Sequence, residues 1–141
     1  MQYHKQLFQH EPEKGIYGDC YRTCIACLLD LSPEEVPHFL FDNTEDGKVF
    51  DGRAKDFLAS KGLTNFTIAM DTSLEDLLST MEHLNPGIYY LLTGYSDRNV
   101  NHVVVCKGGK IVHDPSNVGY GLTGPTQPNG YYWIEVLTKS N

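Results

Sequence analysis

The tripeptide Asn85-Pro86-Gly87 divides the sequence into two halves with different hydrophobic patterns. Before it, apolar residues recur mostly at helical spacing, and after it they fall into short β-rich runs separated by turn residues. Helices and strands segregated in this way are typical of an α+β fold, in which helices pack on a largely antiparallel sheet. We therefore predict a single domain over residues 1–141, with a helical half at about 15–85 and a sheet half at about 86–138.

The predicted elements follow from capping residues and hydrophobic spacing. Asp19 precedes a periodic stretch that starts at Cys20, and it can cap the first turn of that helix. Ser32-Pro33-Glu34-Glu35 predicts a second helix, which should be short because Pro37 follows at once. The other predicted elements are helices at 48–60 and 73–84 and strands at 66–70, 88–92, 102–106, 110–113 and 131–137.

Residues 18–27 read GDCYRTCIAC, with three cysteines spaced Cys-x3-Cys-x2-Cys. Cys24 and Cys27 lie on the same helical face as Cys20, and a free cysteine usually packs as a small apolar residue. Cys106 lies in a valine-rich strand and has the same interpretation. Cys20 differs because it opens the helix, where the positive end of the helix dipole favours a thiolate. The pattern predicts a nucleophile at Cys20 and core positions for the other three.

Two metal-binding alternatives concern the same cysteines. Their spacing resembles that of radical-SAM enzymes, whose cluster cysteines lie in a loop of a much longer barrel. Zinc could take Cys20, Cys24 and His102 as ligands, although zinc sites commonly draw on tight loop spacings that this chain lacks. We expect neither a metal nor another cofactor.

The segment NHVVVCKGGKIVHDP predicts a β-hairpin with Gly108-Gly109 at its turn. A two-residue turn would pair Lys107 with Lys110 and leave His102 and Asp114 on opposite faces. A three-residue loop that includes Lys107 would shift the register by one residue and set His102 directly opposite Asp114. Both registers are compatible with the sequence, and we predict the second.

An imidazole beside a carboxylate, close to a cysteine at a helix start, meets the needs of thiol catalysis. The imidazole stabilises the thiolate and transfers protons, and the carboxylate orients the imidazole. Cys20, His102 and Asp114 are therefore the candidate catalytic residues. His113 is the second candidate for the base, because it neighbours Asp114 in the chain.

Three motifs resemble the papain-like cysteine peptidases: Asp-Cys-x3-Cys at a helix start, His-Val-Val-Val, and a hairpin ending in Asp-Pro. They most resemble the bacteriocin-processing (double-glycine leader) peptidase domains. The Gly-Asp-Cys start and EEVPHF at 34–39 also resemble small uncharacterised phage and bacterial proteins. The resemblance covers roughly residues 15–115. It implies a papain-like fold and a cysteine hydrolase or acyl-transfer enzyme acting on a peptide, isopeptide or thioester bond.

By this resemblance Cys20 is the nucleophile, His102 the base and Asp114 the orienting acid. The same peptidases usually carry a glutamine about six residues before the cysteine, where its side chain completes the oxyanion hole. That position is Lys14 here, and the nearest upstream glutamine, Gln9, is the candidate oxyanion donor. The departure from the pattern favours an alternative function, a catalytically inactive papain-like module that binds a peptide or protein.

Charge and hydropathy restrict the partners. The chain has 11 basic and 18 acidic residues, a formal net charge of −7, and no basic stripe, so we expect no nucleic-acid binding. No apolar run has signal-peptide or membrane-spanning length, which predicts no membrane contact and a cytoplasmic location. The expected partner is a peptide or protein substrate, and no pattern predicts the oligomeric state. The long loop at 115–130 is expected to form a wall or lid of the site.

Overall fold

The computed structural model describes residues 1–119 and 121–141, and the chain so described folds into helices packed on an antiparallel sheet. This arrangement confirms the predicted α+β class. The helices are α1 (Cys20–Leu29), α2 (Gly47–Ser60) and α3 (Leu74–Leu84), with short 3-10 turns at Pro12–Lys14 and Pro33–Glu35. The strands are β1 (Leu63–Met70), β2 (Tyr89–Tyr95), β3 (Asn101–Lys107), β4 (Lys110–His113) and β5 (Tyr132–Lys139). None of the described helices is both long enough and apolar enough to cross a bilayer.

The sheet has the strand order β1-β5-β2-β3-β4, and all neighbouring strands are antiparallel. The run predicted at 66–70 forms a longer strand, β1, which belongs to the helical half of the sequence. β1 pairs along its whole length with β5, near the end of the chain. One strand from the first half thus completes the sheet of the second half.

Both faces of the sheet are covered. In β3, the side chains of Val103 and Val105 pack in a cluster with α1 and α2, whereas Val104 and Cys106 pack in a second cluster with α3. This division is the alternation that a strand requires, and because both faces are buried the strand is apolar almost throughout. Cys24, Cys27 and Cys106 are fully buried in these clusters, which confirms their predicted core positions.

The entry into α1 differs from the prediction in one respect. Asp19 occupies the N-cap position, but its carboxylate makes no capping bond to the helix. Instead it is buried and accepts hydrogen bonds from the backbone of the N-terminal segment, at Leu7 and Phe8. Hydrogen bonds to a carboxylate are strong, and here the backbone donors come from outside the helix.

The hairpin register also differs from the prediction. Lys107 pairs with Lys110 across a two-residue turn, so the predicted three-residue loop is wrong. Gly108 has a φ of 56°, and a Cβ on Gly109 would lie 2.5 Å from the carbonyl oxygen of Leu78 in α3. The turn packs closely against α3, and only glycine fits both positions without a shift of the backbone.

A β-bulge nevertheless brings the two predicted partners together. The register shifts by one residue between Val105 and Cys106, which leaves Val112 as an extra residue in β4. One extra residue reverses the alternation of faces, so Asp114, just beyond β4, comes onto the same face as His102. A two-residue turn with a bulge therefore produces the juxtaposition that we predicted from a longer loop.

Candidate active site

Cys20 is the first residue of α1 and lines a cleft of about 530 Å³ together with His102. Its thiol is partly exposed, whereas Cys24, Cys27 and Cys106 are buried. Burial raises the pKa of all three buried thiols, that of Cys106 to about 12. Because the thiolate is the reactive form, these three are poor nucleophiles, and Cys20 is the accessible thiol of the chain.

His102 lies at the start of β3 and is only 2% exposed. Its Nε2 is 2.7 Å from Oδ1 of Asp114, and the Cys20 thiol lies close enough to the same ring to raise its pKa. The structure thus brings the three predicted residues together in the order thiol, imidazole, carboxylate.

Asp114 is held in place by backbone donors as well as by the imidazole. The N–H groups of Ser116 and Gly121 donate to its carboxylate at 2.9 and 2.8 Å. Burial acts to raise the pKa of Asp114, but the hydrogen bonds from His102 and from these N–H groups outweigh it and lower the pKa to about 2. The carboxylate is therefore ionised throughout the physiological range.

The pKa of His102 moves in the opposite direction. Burial acts to lower it, but the hydrogen bond to Asp114 and the interactions with the nearby Cys20 thiol and the Asp114 carboxylate raise the pKa to about 9. At neutral pH the imidazolium is thus the favoured form, and it lies beside the thiol. This is the electrostatic setting in which an imidazolium–thiolate pair forms.

The same shifts predict how the pair contributes to stability. The raised pKa of His102 contributes stability that is complete below about pH 6.5 and is lost as the pH rises through about 9. The lowered pKa of Asp114 contributes stability that is present above about pH 4 and is lost as the pH falls through about 2. The stability that the His102–Asp114 pair contributes is therefore largest between about pH 4 and 6.5.

Asp114→Asn is accordingly expected to lower the free energy of unfolding most in that window. We expect the loss at pH 6 to exceed the loss at pH 10 by roughly 1–3 kcal/mol. Urea unfolding of wild type and variant at both pH values measures this difference, and subtraction cancels groups that titrate alike in both proteins. A loss that does not depend on pH would contradict the pairing.

His113, the second candidate for the base, is engaged elsewhere. Its Nε2 is hydrogen-bonded to the backbone oxygen of His4, and its ring lies against Tyr3 with centroids 5.0 Å apart. These contacts attach the start of the chain to β4. The imidazole that the structure places between Cys20 and a carboxylate is that of His102.

Residues 4–8, which we call the N-terminal strap, run beside the start of α1. The carboxylate of Asp19, 2% exposed, accepts from the N–H groups of Leu7 and Phe8 at 3.2 and 2.9 Å. It also pairs with Nε of Arg22 at 3.0 Å. The residue before the nucleophile therefore holds the strap against the nucleophile's helix.

The strap also contacts the loop that carries Asp114. Lys5 Nζ donates to the backbone oxygens of Asp114 and Ser116, both at 3.0 Å, and the N–H of Gln6 donates to Pro115 at 2.8 Å. One short segment thus connects the helix of the nucleophile to the loop of the acid. No sequence signal predicts this role, since the segment has no helical or strand periodicity.

Two glutamines, Gln6 and Gln127, line the cleft, whereas the cleft-lining residues do not include Gln9, so Gln9 as oxyanion donor stays a prediction. Gln6 is 5% exposed, and its Nε2 donates to the backbone oxygen of Phe8 at 2.6 Å. Its Oε1 has no hydrogen-bond partner within residues 1–119 and 121–141. No sequence signal marks Gln6, because its approach to the cleft depends on the path of the strap.

Two residues of the loop predicted as a wall or lid contribute to a wall of the cleft. Gln127 and Pro128 line the cleft. The side chain of Asn101 fixes this wall, because it donates to the backbone oxygen of Gln127 at 2.9 Å and accepts from its N–H at 3.0 Å. Tyr95 and Gly124 form a further bridge to the sheet.

No group of three His, Cys, Asp or Glu side chains in the described part of the chain is arranged to hold a metal ion. No protein-family model matches the sequence, and no match was found among curated proteins or solved structures. The resemblance to papain-like peptidases stays a prediction from the motifs.

Proposed function

We propose that this protein is a cysteine-dependent hydrolase or acyl-transfer enzyme acting on a peptide, isopeptide or thioester bond. The observation that carries the proposal is the 2.7 Å bond between His102 and Asp114, with the Cys20 thiol at the start of α1 lining the same cleft as this imidazole. A papain-like arrangement, in which a helix presents the cysteine and a sheet presents the histidine, is part of the proposal. A reducing cytoplasm would keep such a thiol free.

The chemistry proceeds in two halves. The Cys20 thiolate attacks the carbonyl carbon, an S–C bond forms, and the carbonyl π electrons move to oxygen. The tetrahedral intermediate collapses, the bond to the leaving amine or thiol breaks, and His102 donates its proton to that group. Water or an amine then attacks the thioester, His102 accepts its proton, and the S–C bond breaks to return the thiolate.

The oxyanion would lie at the start of α1. The first N–H groups of a helix lack intrahelical acceptors, and the Asp19 carboxylate, which is turned to Leu7 and Phe8, does not occupy them. Backbone donors in this position stabilise developing negative charge. Asp19 therefore contributes by leaving the helix start open.

The cleft is suited to an uncharged peptide segment. Its described lining contains no Lys, Arg, Asp or Glu, and its polar groups include the amides of Asn99, Asn101 and Gln127. Side-chain amides both donate and accept, as do peptide groups, and Leu40 and Val100 add apolar surface. We therefore propose a peptide or protein substrate that enters the cleft without a charged side chain.

Selective alkylation tests this proposal. With a limiting amount of iodoacetamide at pH 7, wild type is expected to be modified at Cys20, and the buried cysteines serve as controls within the same chain. His102→Ala should slow the labelling of Cys20 at least tenfold, because the stabilising imidazolium is lost. His113→Ala, on the same hairpin, is the matched control and should label at the wild-type rate. Labelling spread over all four cysteines, or unaffected by His102→Ala, would overturn the proposal.

One observation favours the alternative, an inactive binding module. The side-chain amide of Gln6, one of the two glutamines that line the described cleft, donates to the backbone oxygen of Phe8, which leaves at most one of its N–H groups for an oxyanion. The alternative predicts that an intact cleft binds peptide without acylation of Cys20. The ester experiment below distinguishes the two functions.

A further inference from the structure

The two edges of the sheet are constructed differently. β4, at one edge, has four residues, carries Lys110 and His113, and contains the bulge at Val112. The N-terminal strap also contacts this side, through the bond between His113 and His4. Short length, charge, a bulge and a covering segment are the usual ways in which proteins prevent a strand edge from pairing with another chain.

β1, at the other edge, lacks the short length and the bulge, although Lys55 lies against its first half, with Nζ 3.5 Å from the backbone oxygen of Asn65. It is eight residues long, LTNFTIAM, without charge, proline or glycine, and it pairs with β5 in one continuous register. Among residues 1–119 and 121–141, β5 is its only strand partner. A long, regular and uncharged edge is a template for a further strand.

The backbone groups of the free edge can be identified. The N–H of Ser140 donates to the oxygen of Gly62, in the same register as the β1–β5 pairing. Hydrogen-bonded pairs alternate along an antiparallel ladder, so even-numbered residues of β1 face β5. The N–H and C=O groups of Asn65, Thr67 and Ala69 therefore face the open edge. Lys55 Nζ donates to the Asn65 oxygen at 3.5 Å and would be displaced by a pairing strand.

Apolar side chains accompany this edge. Phe66 and Ile68 are 49% and 47% exposed and, two residues apart, lie on the same face of the strand. Met70, on that face, packs in the α3 cluster. The apolar face of the sheet thus extends beyond the area that α3 covers.

We propose that β1 pairs antiparallel with β1 of a second copy of this chain, about a two-fold axis at Thr67. This register sets Phe66 opposite Ile68 of the second copy, and Ile68 opposite its Phe66. Aromatic and β-branched side chains opposed in this way stabilise a sheet. Thr67 lies opposite itself, and its N–H and C=O groups, with those of Asn65 and Ala69, complete the ladder.

Charge complementarity favours a second copy as the occupant. Exposed lysines lie at the beginning of β1, namely Lys55 beside Asn65, Lys61 before the strand, and Lys139 opposite Leu63. Asp71 follows its other end. Antiparallel pairing brings the basic end of one copy to the acidic end of the other, twice. This attraction acts locally in a chain whose net charge of −7 otherwise repels its copy.

Sedimentation equilibrium tests the dimer. At about 100 µM, wild type is expected at twice the monomer mass of 15.9 kDa. Thr67→Lys sets two lysines opposite each other in the dimer, whereas within one chain residue 67 pairs with Glu135, so folding tolerates it. We expect the dissociation constant to rise at least a hundredfold. Ile111→Lys, at the other edge and 39% exposed, is the matched control and should remain dimeric.

A second variant tests the register. In a Cys20→Ser background, Thr67→Cys should form an intermolecular disulfide on mild oxidation, because opposed Cα atoms in a hydrogen-bonded pair lie about 5.5 Å apart. A wild type that stays monomeric, a Thr67→Lys protein with wild-type circular dichroism that stays dimeric, or dissociation by Ile111→Lys would overturn the proposal. A dimer without a cross-link at residue 67 would overturn the register.

Discussion

Cys20→Ser is expected to lower the acylation of this protein by a reactive ester, p-nitrophenyl acetate, on the order of a thousandfold. In wild type the thiolate beside the His102 imidazolium should release nitrophenolate in a burst and carry the acetyl group on Cys20. Serine keeps the geometry, but its hydroxyl is a much weaker acid than the thiol, so it supplies almost no anionic nucleophile beside His102. Stopped-flow absorbance measures the burst, and peptide mass spectrometry locates the acetyl group.

The matched variants are His102→Ala and His113→Ala. Loss of His102 should reduce the burst strongly, whereas loss of His113, which contacts the N-terminal segment, should leave it intact. A burst of equal size in wild type and Cys20→Ser would contradict the assignment of the nucleophile. Native labelling of Cys20 by iodoacetamide without any acylation would favour the inactive binding module.

Asp19→Ala is expected to lower the free energy of unfolding by about 3–5 kcal/mol, because it leaves Arg22 buried without its counter-ion. The side chains of Asp19 and Arg22 are 0% and 10% exposed. The substitution also removes the acceptor for the N–H groups of Leu7 and Phe8, so the strap should detach from α1. Urea unfolding followed by circular dichroism measures the loss.

The exposed pair of Arg53 and Asp42 provides the control. It has a comparable N–O distance of 2.9 Å but lies in solvent, so Asp42→Ala should cost far less than Asp19→Ala. Asp19→Asn, which keeps one acceptor oxygen, should fall between them. Equal losses of stability for the two alanine variants would contradict the claim that Asp19, through Arg22 and the strap, stabilises the fold more than an exposed ion pair does.

The hairpin of β3 and β4 shows which features of the site could be predicted from the sequence. The residues His102 and Asp114 were predicted as partners, and they are partners. The route was predicted wrongly, because a three-residue loop and a two-residue turn with a bulge place these side chains on the same face. Contacts of Gly109 with Leu78 and Glu82 of α3 decide between the routes, and those residues lie far from the hairpin in sequence.

Asp19 and Gln6 have contacts that could not be predicted from the sequence. A carboxylate before a helix predicts a cap, but the same oxygens serve any donor that tertiary structure brings nearby, and here the strap supplies it. Gln6 reaches the cleft although it lies fourteen residues before Cys20, because the intervening chain turns back at Pro12–Lys14. Such a path has no periodicity from which it could be predicted.

The sequence by itself determined the α+β class, the burial of Cys24 and Cys27, and the identities of the three residues that meet. The first two properties depend on local periodicity, which sets the face that each residue of a helix or strand presents. The third depends on residue types at a helix start and in one hairpin, whose register was predicted wrongly. Tertiary structure alone decided the hairpin register, the path of the strap, and which edge of the sheet remains open. Each of these depends on contacts between segments distant in sequence, where a shift of one residue reverses every face.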